Sequence, residues 1–142
     1  MSDDAAAPAR PTREELVALF RSGLPGLMAM EVGDDDGGDV RVSMRVTPDV
    51  MAPNGFLHGG SVVALADTAC GFGCWIGLPA TATGFATVSL STNFMGTARD
   101  GVLTCVARRV HGGRTTEVWD ATVTREDGRP IAVFRCTQMI LT

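Results

Sequence analysis

From Val50 to Ala98 the chain carries one formally charged side chain, Asp67. The residues around it, Gly59 to about Gly77, are apolar, rich in Ala and free of proline, which predicts a helix. Asp has poor helix propensity, and a carboxylate is costly to bury without partners. Asp67 can therefore be structural, hydrogen-bonding a neighbouring loop or facing solvent. It can also be chemical, activating water as a general base or attacking an electrophile. Just upstream stands His58-Gly59-Gly60. Glycines at a helix entrance allow close backbone approach, and the first N–H groups of a helix lack internal acceptors. Such amides favour negative charge, and a developing oxyanion is one. A tight loop-to-helix turn is the plainer use of the same glycines.

Spacing sharpens the chemical reading. Gly59 and Asp67 are eight residues apart, or about 12 Å along a helix. One substrate carbonyl does not reach both in one subunit. If both act, the site is shared between two chains related by a two-fold axis.

The elements that must hold these residues follow from pattern. Residues 1–11 read as a loose leader and 12–142 as one domain. Thr12 with Glu15 forms a capping box, and Leu16, Leu19 and Phe20 continue a helix that Gly23 and Pro25 stop. Leu27–Val32 suggests a strand, and Asp34-Asp35-Asp36-Gly37-Gly38 a turn. Val40, Val42, Met44 and Val46 alternate with polar residues, a half-exposed strand. Residues 47–57 form a loop. The long helix is apolar all round, so it should be buried, and it is too short for a membrane span. Residues 84–95, 102–110, 115–125 and 131–141 read as strands, separated by glycine turns at hairpin spacing. The expected fold class is α+β: an antiparallel sheet curled around one central helix. The charge-poor stretch is then that helix and an adjoining central strand.

Composition narrows the function. The chain has 142 residues and a net charge of −4, and its 12 basic residues are all Arg. An acidic balance without a basic cluster argues against nucleic acid. Met1–Pro11 carries acids and lacks an apolar segment, so no secretion signal is expected there. Cys70, Cys74, Cys105 and Cys136 then read as reduced, buried thiols of a cytoplasmic protein. A zinc site would need further ligands, and only His58 and His111 exist. No metal or organic cofactor is expected.

The motif Asn54-Gly55-Phe56-Leu57-His58-Gly59-Gly60, followed by Ala64-Leu65-Ala66-Asp67-Thr68-Ala69, resembles hotdog-fold acyl-CoA thioesterases of the PaaI type. The resemblance runs on through Thr87–Met95 and covers about residues 15–142. It implies a hotdog fold, a curved antiparallel sheet wrapped around one long helix, in dimers often paired into tetramers. It implies an acyl-CoA substrate, aryl or medium-chain, with CoA bound as part of that substrate. Residue by residue, it makes Asp67 the nucleophile or general base and the Gly59 N–H the polarising donor. His58 positions the site, and Thr87 assists water or Asp67. Many members of that family carry Asn six residues before the His. Ala52 stands there in this chain, and Asn54 is the candidate substitute. CoA contacts are expected from Gly60, Arg99, Gly113 and Arg114, where Arg suits phosphate and a solvated turn tip is the alternative. Phe56, Phe72, Trp75, Phe85 and Phe94 line either an acyl pocket or the core.

Three other readings share the fold. One is a non-catalytic acyl-CoA sensor, which normally carries an added DNA-binding region. A second is a hydratase, which pairs its Asp with a His a few residues downstream; no His follows Asp67 until His111. A third is a structural dimerisation domain, which leaves Asp67 unexplained.

Overall fold

The computed structural model describes residues 10–34 and 37–142. The leader lies outside these apart from Arg10 and Pro11, as do Asp35 and Asp36 of the expected turn. Helix α1 spans Arg13–Leu19. Thr12 Oγ1 accepts the Glu15 N–H, and the Glu15 carboxylate accepts the Thr12 N–H, completing the capping box.

Gly23 and Pro25 do not end helical structure. They begin α2, Gly23–Leu27. Gly23 takes a left-handed φ of 64°, which turns the chain and restarts it. Pro25 falls in the first turn, where its missing N–H costs nothing. The strand expected at Leu27–Val32 shrinks accordingly to β1, Glu31–Val32.

Strand β2, Val40–Arg45, alternates buried and exposed residues. A 3-10 turn at Pro48–Val50 leads into the loop before α3, Gly59–Ile76. Strands β3 (Gly84–Phe94), β4 (Val102–Gly112), β5 (Thr116–Thr124) and β6 (Pro130–Leu141) follow. The sheet is antiparallel in the order β1-β2-β4-β5-β6-β3. It wraps α3, which touches β2 through β6.

The core forms between them. Leu65 and Phe72 from α3 meet Val42, Leu103 and Val123 from the sheet, all fully buried. Each such side chain contributes about 1.5–3 kcal/mol by leaving water. At 18 residues and mean hydropathy 1.2, α3 is long enough and apolar enough to cross a membrane. The sheet accounts for that composition instead.

Two expectations about the charge-poor stretch change. First, α3 is not buried all round. Gly60, Val63, Ala64, Asp67 and Thr68 form a stripe that the sheet leaves partly open. Second, β3 is an edge strand, not a central one. Val88, Leu90 and Phe94 lie 53%, 44% and 53% exposed along it. An apolar, unpaired edge of 11 residues is a pairing surface.

Candidate active site

Asp67 sits on the open stripe of α3, one face toward β3. Its Oδ1 lies 2.8 Å from Thr87 Oγ1, so residues 20 apart in sequence meet as expected. Thr87 falls at an irregularity in the β3–β6 pairing, between Thr87 and Ser89. Its hydroxyl also lies 2.9 Å from Gln138 Oε1 on β6. Gln138 is fully buried.

The start of α3 is built around one free amide. His58 is the N-cap: its Nδ1 accepts the Gly60 N–H at 2.8 Å. The Ser61 and Val62 N–H groups both donate to the His58 carbonyl, at 2.9 and 3.4 Å. The Gly59 N–H has no acceptor among the described residues. It is therefore available to a carbonyl oxygen from outside. Accepting through Nδ1 also leaves the imidazole hydrogen on Nε2, a second donor at the same helix entrance.

Both glycines have a steric reason. A Cβ on Gly60 would stand 2.9 Å from His58 Nδ1, blocking the cap. A Cβ on Gly59 would stand 3.1 Å from the Phe94 ring. Thus Gly59 lies at the far end of β3 from Thr87.

The other expected site residues are dispersed. Asn54 is exposed, and its Oδ1 accepts the Phe56 N–H at 3.2 Å, closing a turn within its own loop. The Gly60 N–H is occupied by His58. Arg99 precedes β4, while Gly113 and Arg114 follow it. An 11-residue strand separates those loops by about 36 Å, so one chain does not gather them. The aromatic residues divide. Phe72 is buried, with Phe20 edge-on at 5.0 Å, and Trp75 packs against Phe85 at 6.0 Å. Phe56 and Phe94 are exposed.

Two buried polar residues on the strands escaped the sequence reading. Gln138 shares the inner phase of β6 with Phe134, Cys136 and Ile140. Glu117 is buried on β5, accepting the Trp119 Nε1–H at 2.7 Å and pairing with Arg109 at 3.3 Å. The signal for both was a polar side chain on the apolar phase of a strand. The four cysteines are buried free thiols. Burial pushes the Cys105 thiol up to about 12. Burial, with Glu117 nearby, does the same to Cys74.

An antiparallel sheet curled around one helix, with a carboxylate on that helix and a free amide at its start, defines a hotdog-fold enzyme of thioester chemistry. The sequence profile of the Thioesterase superfamily matches residues 54–132, and the chain belongs to that family. The acyl-coenzyme A thioesterase PaaI of Escherichia coli is 30% identical over 109 residues, covering 76% of this chain and 75% of that protein. The 1,4-dihydroxy-2-naphthoyl-CoA hydrolase of Listeria monocytogenes is 30% identical over 115 residues, 81% of this chain and 93% of that one. A variant of a Pseudomonas aeruginosa thioesterase superposes with a TM-score of 0.86 at 29% identity, over 94% of this chain and 96% of the other. The chain is thus a thioester hydrolase.

Proposed function

We propose that the protein hydrolyses an aryl- or medium-chain acyl-CoA to the free acid and CoA, at a site shared by two copies of the chain. The observation that carries the reading is the unpaired Gly59 N–H at the start of the helix that also bears Asp67. The thioester oxygen accepts the Gly59 N–H, with the His58 imidazole beside it. Asp67, held by the Thr87 hydroxyl, acts on the carbonyl carbon directly or through a water, as nucleophile or general base. No metal or cofactor takes part.

Geometry supports the shared site. Gly59 packs at the Phe94 end of β3, and Asp67 at the Thr87 end. If the exposed β3 edges of two copies pair antiparallel, with the two-fold axis near Leu90, each Thr87 end meets the other copy's Phe94 end. Asp67 then faces Gly59 of the partner subunit. The same axis brings the Arg114 loop to the end of the sheet where Arg99 of the partner subunit lies. The apolar β3 edge and the open stripe of α3 are covered at once. Exposed Phe94 beside Gly59, with Phe56 in the preceding loop, favours an aryl or medium-chain acyl group. A cytoplasmic location fits the reduced thiols.

The test is a panel of acyl-CoAs followed by thiol release. The native protein should turn over at least one aryl- or medium-chain ester. Asp67→Asn should lose activity by orders of magnitude while keeping its unfolding midpoint. Retention of full activity in Asp67→Asn overturns the assignment. Saturable binding of CoA esters without thiol release would favour a sensor on the same fold.

A further inference from the structure

The hydroxyl that holds Asp67 has a hydrogen-bonding conflict that its second neighbour resolves. Thr87 Oγ1 carries one hydrogen. It lies 2.8 Å from a carboxylate oxygen of Asp67 and 2.9 Å from the amide oxygen of Gln138. An ionised carboxylate and an amide oxygen are both acceptors only, so one hydrogen cannot serve both. Gln138 is fully buried, where an unserved polar atom is costly, and whichever oxygen the hydrogen does not serve is left 2.8 or 2.9 Å from Thr87 Oγ1 with no hydrogen between them.

The two ends of a primary amide have nearly the same shape, so hydrogen bonding decides the orientation. Turned by half a rotation, Gln138 presents Nε2–H to Thr87 Oγ1. The Thr87 hydrogen is then committed to Asp67. The amide oxygen moves to the position that now lies 3.4 Å from Cys136 Sγ, where it accepts the thiol hydrogen. The donors then run in one direction: Cys136 to Gln138, Gln138 to Thr87, Thr87 to Asp67.

We propose that Gln138 is a positioning residue, whose buried amide donates to Thr87 and so fixes the Thr87 hydroxyl as a donor to Asp67. This rests on Asp67 being the group that acts on the thioester. Gln138 itself stays out of reach of substrate, in the layer between α3 and the sheet. Cross-strand pairing of Gln138 with Thr87 in the β3–β6 ladder makes the contact a consequence of register. A slip of one residue would point Gln138 out of the core.

The experiment combines kinetics with a readout independent of turnover. Gln138→Met keeps the length and volume of the side chain and removes its donor. It should lower kcat about tenfold with KM changed by less than about threefold. In a Thr87→Val background the same change should cost less than about twofold more, because the donor no longer has a hydroxyl to orient. An equal loss in both backgrounds means that Gln138 only fills space, and overturns the proposal. In parallel, the side-chain amide proton of Gln138 is followed by ¹⁵N–¹H NMR, its signal assigned by its loss in Gln138→Met. It should move upfield in Thr87→Val and keep its position in Thr87→Ser. If it stays put in Thr87→Val, no such donor bond exists. If the native protein cleaves no thioester, the proposed reaction fails, and the amide signal alone decides the Gln138–Thr87 bond.

Discussion

The shared site makes a quantitative prediction through Gly59→Pro. Gly59 is the first residue of α3, a position where proline is accepted because its N–H has no intrahelical partner. The residue before a proline must be extended, and His58 already is, at φ −65° and ψ 127°. Phe94, the nearest group to a new Cβ, is an exposed side chain that can yield. The substitution therefore deletes one hydrogen-bond donor with little else. Loss of a single oxyanion donor costs about 2.7–4 kcal/mol of transition-state stabilisation, or about 100- to 1,000-fold in kcat. The unfolding midpoint should hardly move.

Gly59→Pro and Asp67→Asn are then each nearly inactive, for different reasons. Mixed at equal concentration, unfolded and refolded together, half of the dimers are hybrids. Each hybrid combines Asp67 of the proline variant with Gly59 of the other chain in one intact site, and has one dead site. The mixture should recover about a quarter of native thiol release. A mixture no more active than its components, in dimers shown to be hybrid, would refute the shared site. Near-native activity of Gly59→Pro alone would refute the role of the amide.

Other substitutions test the supporting structure. Thr87→Val removes a hydrogen bond to a charged group worth about 1.5–3 kcal/mol, so kcat should fall about 10- to 100-fold, and Thr87→Ser should keep most of it. Gly73→Ala would put a Cβ 2.3 Å from Cη2 of Trp119, whose indole is pinned to Glu117. Despite the better helix propensity of Ala, chemical unfolding should show a net loss of about 1–3 kcal/mol. The thiols should be silent to a disulfide reagent at pH 8 in the folded protein, and all four should react in denaturant. Hydrogen bonding to Arg135 holds the Asp120 carboxyl below its ordinary range. That contribution is complete above the unfolded carboxylate pKa of about 3.9 and is lost as pH falls through the folded value. The stability gap between native and Asp120→Asn should be under about 1 kcal/mol near neutrality for so exposed a pair, and close below about pH 3 in urea titrations.

The sequence made some elements legible because their signals are local. Thr12 and Glu15 bind each other's backbone within one turn, so the start of α1 was readable. The alternation Val40-Val42-Met44 needs only neighbouring residues, so β2 was too. Pro25 misled because proline stops a helix in its interior and suits its first turn, and only the left-handed Gly23 distinguishes the cases. Asp67 and His58-Gly59-Gly60 stood out because a charge in a neutral run and glycines before a helix are visible singly. Gln138 did not, because it is uncharged. Its meaning depends on a register that joins residues 51 apart.

The same limit explains why β3 was expected in the centre of the sheet. Burial in a core and burial against a second subunit remove charge from a strand for one physical reason, the cost of desolvating it. A sequence records the removal and not which surface caused it. The edge position of β3 rules out a place in the centre of the sheet. Val88 and Leu90 are apolar yet stay 53% and 44% exposed on that edge, which is what the proposed second subunit would cover. Asp67 lies where the core meets the open stripe of α3. The stripe of α3 that the sheet leaves open is the one place in the helix where a carboxylate can be held by the core, through Thr87, and still face a ligand. That position accounts for the single charge in 49 residues. Full burial would have excluded it, and full exposure would have left the surrounding neutrality without a cause.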